Sequence, residues 1–181
     1  MDGGSMDGVS MDGEDVTLEP FRAAHLELLD RWLHAPHVAR WYAQPDEDLA
    51  RAAEPPEGGA QALICDRGRP VGYLRWQSAG RELLDSLGLD DIPAGAVDID
   101  ILLGETDGVG RGIGPRALQL LVDRLRRDPT IPMLGLTSEL ANHRAHRAFE
   151  RAGFRIDREY EAGSLGRCYL LLMELRRDGA A

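Results

Sequence analysis

Two stretches of this chain carry residue types at spacings that could do chemistry. In Val109-Gly110-Arg111-Gly112-Ile113-Gly114-Pro115, three alternating glycines run directly into an amphipathic helical pattern. Glycine lets backbone approach a ligand with no Cβ in the way. Free amides at a helix N-terminus, aided by the aligned peptide dipoles, then bind a diphosphate. Gly114 is the expected N-cap and Pro115 the first helical residue, where its missing N–H costs nothing. Just upstream, Val97-Asp98-Ile99-Asp100-Ile101-Leu102-Leu103 reads as a strand. Alternation sends Asp98 and Asp100 to one face and Val97, Ile99 and Ile101 to the other. Two carboxylates on one face of an inner strand suit the binding of a cation. The competing explanation is the solvated side of a half-buried strand.

Other candidates lie nearby. From Glu82 to Asp100 there are six acidic residues (Glu82, Asp85, Asp90, Asp91, Asp98, Asp100) and no basic one. Such a run is either a solvated loop or an electrostatic funnel for a polycation. His34 and His37, like His143 and His146, are three apart but lack the cysteine or carboxylate partners of a metal site, so no metal is expected. Cys65 and Cys168 sit in strand-like runs without CxxC spacing, as buried thiols of a reducing compartment would.

The elements that must position these groups follow from periodicity. Strands are expected over 16–20, 61–65, 70–76, 96–103, 133–137, 154–161 and 167–173, with 61–76 a hairpin around Arg67-Gly68-Arg69. Helices are expected over 23–33, 36–41, 81–87, 115–127 and 142–152. The first places Leu26, Leu29, Trp32 and Leu33 on one face, and the last is capped by Asn142 and stopped at Gly153. The polar, proline-containing segment 44–59 reads as a loop with one helical turn over 47–53. This order predicts an α/β layered structure around a mixed sheet.

Composition sets the outer limits. At 181 residues and 43% hydrophobic, the chain suits one domain with a full core, expected over 16–176. Residues 1–15 repeat Met-Asp-Gly three times and read as a coreless tail, with a second short tail over 177–181. A net charge of −10 argues against nucleic acid and anionic membranes as partners. No apolar run reaches membrane-spanning length and no leader pattern opens the chain, so a cytoplasmic location is expected. All 21 basic residues are arginine, which says little about mechanism.

Gly110 to Gly114, followed by Asn142-His143-Arg144-Ala145 and Phe149-Glu150-Arg151-Ala152-Gly153-Phe154, resembles the GNAT superfamily of acyl-CoA-dependent N-acyltransferases. The first segment matches its pyrophosphate loop and the second its other cofactor-contacting helix. Trp32-Leu33 through Trp41-Tyr42, Val97 to Leu103, and Gly166-Arg167-Cys168-Tyr169 further resemble aminoglycoside 6′-N-acetyltransferases. The resemblance covers roughly 16–175. It implies the GNAT fold, a central mixed, mostly antiparallel sheet flanked by helices.

The resemblance also implies roles. Acetyl-CoA would be held by Ile101, Leu102, Leu103, Val109, Gly110, Arg111, Gly112, Ile113, Gly114, Pro115, Asn142 and Ala145. Backbone amides around Leu102 and Leu103 would polarise the thioester. Asp100 would anchor a substrate ammonium and receive its proton, and Tyr169 would protonate the departing thiolate. Trp41, Tyr42, Glu82, Asp85 and Asp98 would complete a site for a cationic amine, the aromatics stacking on sugar rings or ammonium groups. Trp32 and Trp76 suit core packing better.

Two departures stand out: Val109 where many members carry Gln or Arg, and Phe149 in place of a common Tyr. The implied activity is acetyl transfer to the 6′-amine of an aminoglycoside by direct attack on the thioester, in a monomer or homodimer. Three alternatives stay open. One is a siderophore-biosynthetic (hydroxylysine-type) or other small-amine acyltransferase, and another a CoA-binding module without turnover. The third is a dinucleotide-binding oxidoreductase, disfavoured because the glycines lie mid-chain and do not follow the strand at once.

Overall fold

The structure, a computed structural model, describes residues 15–175. Both expected tails therefore fall outside it except for Asp15, which pairs with Arg67 at 2.9 Å. Seven strands alternate with six α-helices: β1 Val16–Pro20, α1 Leu26–Leu33, α2 Pro36–Ala39, α3 Pro45–Ala53, β2 Ala60–Asp66, β3 Arg69–Ser78, α4 Arg81–Ser86, β4 Val97–Leu103, α5 Ile113–Leu125, β5 Met133–Glu139, α6 His143–Arg151, β6 Arg155–Glu161 and β7 Arg167–Glu174. The strands form one sheet in the order β1-β2-β3-β4-β5-β7-β6. Every neighbouring pair is antiparallel except β4 and β5. This is the mixed, mostly antiparallel sheet flanked by helices that the resemblance implied.

Strand alternation sorts apolar side chains to two faces. On one, α5 and α6 cover Ile99, Leu134, Leu136 and Leu171 with Ala117, Leu118, Leu121 and Phe149. On the other, α1 to α3 set Leu29, Trp32, Leu33 and Ala52 against Leu63, Tyr73 and Leu102. The α4 segment adds Leu84, Leu89 and Ile92 over Leu170. Both cysteines are free and fully buried, and burial pushes the Cys65 thiol up to about 12.

The parallel seam shapes everything that follows. A parallel pair needs a long crossover, supplied here by α5. Yet β4 and β5 pair only from Val97↔Leu134 to Ile99↔Leu136. Beyond that point β4 stays on β3 as far as Leu103, and β5 stays on β7 as far as Glu139. Each strand is held by its outer neighbour while the inner edges part. The result is a wedge.

Two elements differ from the sequence expectation. Residues 45–53 form a nine-residue helix, not a loop with one turn. Pro45 sits at its start, Asp46, Glu47 and Asp48 complement its N-terminal dipole, and buried Arg75 donates to the Arg51 and Glu54 carbonyls at its far end, at 2.8 and 3.2 Å. Helix α5 starts at Ile113 rather than Pro115, with Gly112 as N-cap instead of Gly114. Pro115 is still harmless, because the first four N–H groups of a helix lack internal partners. Helix α6 matches its reading: Asn142 accepts the Ala145 N–H at 3.2 Å, and Gly153, at φ 103°, ends it.

The end of β4 is locked onto α1. A β-bulge at Val71 frees that carbonyl to accept the Gly104 N–H at 2.9 Å and the Glu105 N–H at 3.2 Å. The indole of buried Trp32 lies across Gly104 and donates to Glu105 Oε1 at 2.9 Å. A Cβ on Gly104 would stand 2.0 Å from the Trp32 ring. Gly104→Ala should therefore cost about 1–3 kcal/mol through overpacking. Urea unfolding should show a lower midpoint at unchanged slope, and an unmoved midpoint would contradict this packing.

Candidate active site

Chain reversal after β4 builds an anion cradle. Gly110 and Gly112 have φ of 83° and 82°, left-handed values that favour glycine, whereas Arg111 between them does not share them. Alternating handedness turns successive amides inward as a nest. No acceptor among the described residues meets the N–H groups of Gly110, Arg111, Gly112, Ile113 or Gly114. A Cβ at Gly110 or Gly112 would touch nothing within 4 Å, so the space over the nest is open. The Arg111 guanidinium is directed elsewhere, onto Asp66 at 2.7 Å. That leaves its amide, not its charge, for a ligand.

The wedge supplies a second set of donors. The Ile101 carbonyl accepts from Tyr42 Oη at 3.2 Å and the Leu103 carbonyl from His37 Nε2 at 3.1 Å. Both carbonyls therefore point away from β3. In an antiparallel ladder a residue's N–H and C=O point the same way. The Ile101 and Leu103 N–H groups thus face the opening that β5 has vacated. Leu102 has opposite parity, so its backbone belongs to the β3 ladder and its side chain to the core; the polarising amide expected there is displaced by one residue.

Nest, wedge and the Asp98/Asp100 face all open into one cleft of about 960 Å³. Both oxygens of Asp100 are engaged: Oδ1 accepts from Tyr42 Oη at 2.5 Å and Oδ2 from Arg51 Nη2 at 3.2 Å. Arg51 also grips Asp48 at 2.7 Å. Burial raises the carboxyl of Asp48, and burial with the Asp100 charge raises the Tyr42 phenol well above its usual value. Asp98 is half-buried; desolvation first, then the Asp100 charge, push it up to about 6 against the pull of Arg51 and Arg75. Across the wedge, Tyr160 Oη and Thr137 Oγ1 are 2.6 Å apart, and burial raises the Tyr160 phenol.

The structure gathers most of the expected residues and sets others aside. Ile101, Leu102, Leu103, Val109, Gly110, Gly112 to Pro115, Asn142, Ala145, Trp41, Tyr42, Asp98 and Asp100 all line the cleft. Glu82 and Asp85 do not: α4 turns Leu83, Leu84 and Leu87 inward, and Asp85 pairs with Arg81 at 3.3 Å. Asp91 is likewise neutralised by Arg158, so the acidic run is no continuous funnel. Tyr169 points to the opposite face from Leu170 and Leu172, which line the cleft, and stacks edge-on against His146 at 5.1 Å. Trp32 and Trp76 are core residues, the latter beneath Arg124. Arg51, Asp48, Thr137, Tyr160 and His37 were not singled out for the site by sequence. Among the described residues no cluster suits a metal ion, and no helix is long and apolar enough to cross a membrane.

Burial gives Asp98 a stability cost that depends on pH. Its folded value lies above the ordinary carboxyl value of about 4, so the cost is absent below that pH and complete above about 6. Asp98→Asn should melt a few degrees above wild type at pH 8, and the gap should close by pH 4. Thermal melts across this range would show it, and a lower melting point at pH 8 would contradict the assigned burial.

The profile of the acetyltransferase (GNAT) domain matches residues 22–162. Aminoglycoside N(6′)-acetyltransferase type 1 of Klebsiella pneumoniae is 26% identical over 156 residues, 81% of this chain and 77% of that protein. Aminoglycoside acetyltransferase AAC(6′)-Ib in complex with coenzyme A superposes with a TM-score of 0.75 at 23% identity, over 88% of this chain and 94% of that one. Aminoglycoside N(6′)acetyltransferase from Legionella pneumophila gives a TM-score of 0.66 at 20% identity, over 91% and 95% of the two chains. With the profile spanning β2 to β6, the nest and the wedge, the chain belongs to the acetyltransferase (GNAT) domain family.

Proposed function

We propose that this protein transfers an acetyl group from acetyl-CoA to a primary amine of a cationic small molecule, with the 6′-amine of aminoglycosides as the leading acceptor. One observation carries the reading. Unpartnered amides of the nest and a two-carboxylate face open into the same cleft, with the free wedge amides between them. The nest suits the diphosphate of coenzyme A, because its donors lack protein acceptors and no Cβ closes it. When bound, acetyl-CoA supplies an acetyl group activated as a thioester. The Ile101 and Leu103 N–H groups are placed to donate to carbonyl oxygens along the wedge. The relatives named aminoglycoside N(6′)-acetyltransferases, and a solved relative described in complex with coenzyme A and kanamycin, support both ligands for this chain.

Proton traffic needs a different phenol from the one the resemblance named. Phe149 has no hydroxyl and Tyr169 does not line the cleft. Tyr160 does, and burial keeps it protonated at neutral pH, ready to donate to a departing thiolate. Trp41, beside the carboxylates, offers a ring face to the acceptor. One feature favours a second acceptor class. Arg51 is a resident guanidinium on the acceptor face, suited to the carboxylate of a hydroxylysine-type amine.

Free-thiol release from acetyl-CoA, measured across kanamycin- and tobramycin-like amines and hydroxylysine-type amines, tests the proposal. Release well above background with aminoglycosides is expected. Release only with hydroxylysine-type amines would transfer the assignment to the second class, and none with any amine would remove the activity. Separately, Gly112→Ala must force a left-handed φ on alanine, at about 1–2 kcal/mol. Calorimetry should show coenzyme A binding weakened about tenfold. Unchanged affinity would move the diphosphate out of the nest.

A further inference from the structure

We propose that Asp98, not Asp100, takes the proton from the attacking ammonium, while Asp100 serves as the anchor that Tyr42 and Arg51 hold in place. This rests on the acetyl-transfer reading above. Both Asp100 oxygens are already bound within the protein, by the Tyr42 hydroxyl and the Arg51 guanidinium. Each Asp100 oxygen thus already meets a protein donor on the side from which a substrate proton would arrive. Asp98 lines the same cleft from the same face of β4; its carboxylate accepts only from the adjacent Ile99 N–H and forms no ion pair or side-chain hydrogen bond among the described residues. Its neighbour across the seam is Gly135, which contributes no side chain to crowd it. The position is one residue before Ile99, where β4 and β5 part.

The groups facing Asp98 come from every element packed around it. Asp100 follows on β4, Arg75 and the paired Gln77 lie on β3, Arg51 reaches over from α3 with Asp48 beside it, and Tyr160 approaches from β6. Arg75 is occupied by Gln77 and the α3 carbonyls, and Arg51 by Asp48 and Asp100. Neither guanidinium forms an ion pair with Asp98. Burial and the Asp100 charge raise Asp98 to about 6, within reach of an ammonium that an ordinary carboxylate could not deprotonate well.

The step balances without another reactant. One ammonium proton passes to the Asp98 carboxylate, directly or through one water, leaving a neutral amine. The amine lone pair forms the C–N bond to the thioester carbon, and the C–S bond breaks with its electrons on sulfur. Tyr160 gives its proton to the thiolate and is reprotonated by the remaining surplus N–H proton, giving amide and free thiol. Asp98 then returns its proton to solvent.

Thiol release by wild type, Asp98→Asn, Asp98→Glu and Asp100→Asn, followed from pH 5 to 9 at saturating acetyl-CoA, decides the matter. Wild-type kcat/KM should fall below an apparent pKa near 6, because the working form is the carboxylate. Asp98→Asn should lose about 10²–10³-fold in kcat and lose that acid limb, with Asp98→Glu restoring part of both. Asp100→Asn should keep the limb, moved to lower pH because the Asp100 charge that raises Asp98 is gone, and suffer mainly in KM. The acceptor's own ammonium titrates on the alkaline side in every variant. Coenzyme A affinity, read by calorimetry, should stay near wild type in Asp98→Asn and certifies its fold. An active wild type whose acid limb survives Asp98→Asn, or vanishes only in Asp100→Asn, overturns this assignment alone. A wild type inactive on every amine overturns it together with the function on which it rests.

Discussion

The parting of β4 and β5 after Ile99 and Leu136 is the constraint on which the site depends. Buried backbone donors are costly unless paired, and a sheet normally pairs them by adding the next strand. Here the outer ladders to β3 and β7 hold each strand past the point where the inner ladder stops. The N–H groups of Ile101 and Leu103 are therefore left for a ligand, while their carbonyls are satisfied by Tyr42 and His37. The selectivity is physical. An opening that kept both carbonyls free would repel the carbonyl oxygens of an incoming acyl donor, and this one presents donors only.

The same strand carries the charge. Asp98 and Asp100 sit on one face because alternation puts them there, and the Asp100 charge adds to burial in raising the Asp98 carboxyl. The fold offsets this from outside β4. Helix α3 brings Arg51 to Asp100, and Arg75 holds α3 by its terminal carbonyls. Arg75 thus acts twice, as a cap on the helix that delivers Arg51 and as a nearby positive charge for Asp98. Asp98 keeps the smaller share of compensation, and burial, followed by the Asp100 charge, raises its carboxyl.

Much of this was legible in the sequence, and the omissions have physical causes. Strands and the long helices announced themselves through periodicity, the glycine nest through alternating positions, and α6 through Asn142 and Gly153. Helix α3 was obscured because its polar, proline-flanked sequence resembles a loop; it is held by Ala52 and Leu49 in the core and by Arg75, 24 residues beyond Arg51 on another strand. Tyr169 lies outside the cleft and the Leu102 amide on the β3 side for one reason. Alternation gives relative parity along a strand, but only the register at the open seam says which parity faces the ligand. Glu82 and Asp85 were counted by their charge, whereas helical geometry turned Leu84 into the core and left Leu83 and Leu87 along the cleft. Arg51 and Tyr160 belong to the site by tertiary contact alone, with no local signal to reveal them.

The two departures from the family pattern fit this geometry better than they fit a loss of function. A nest binds through main-chain amides, so Val109 removes a side-chain contact without removing the cradle, and Arg111 confirms the division by spending its charge on Asp66. Phe149 lines the cleft as an apolar wall from the α6 side, where a hydroxyl would be expected. On the opposite face the chain places a hydroxyl pair, Tyr160 and Thr137, flanking the seam beyond Asp98. Proton-handling groups are thereby concentrated on the acceptor face of the sheet, and apolar packing on the cofactor's helical side.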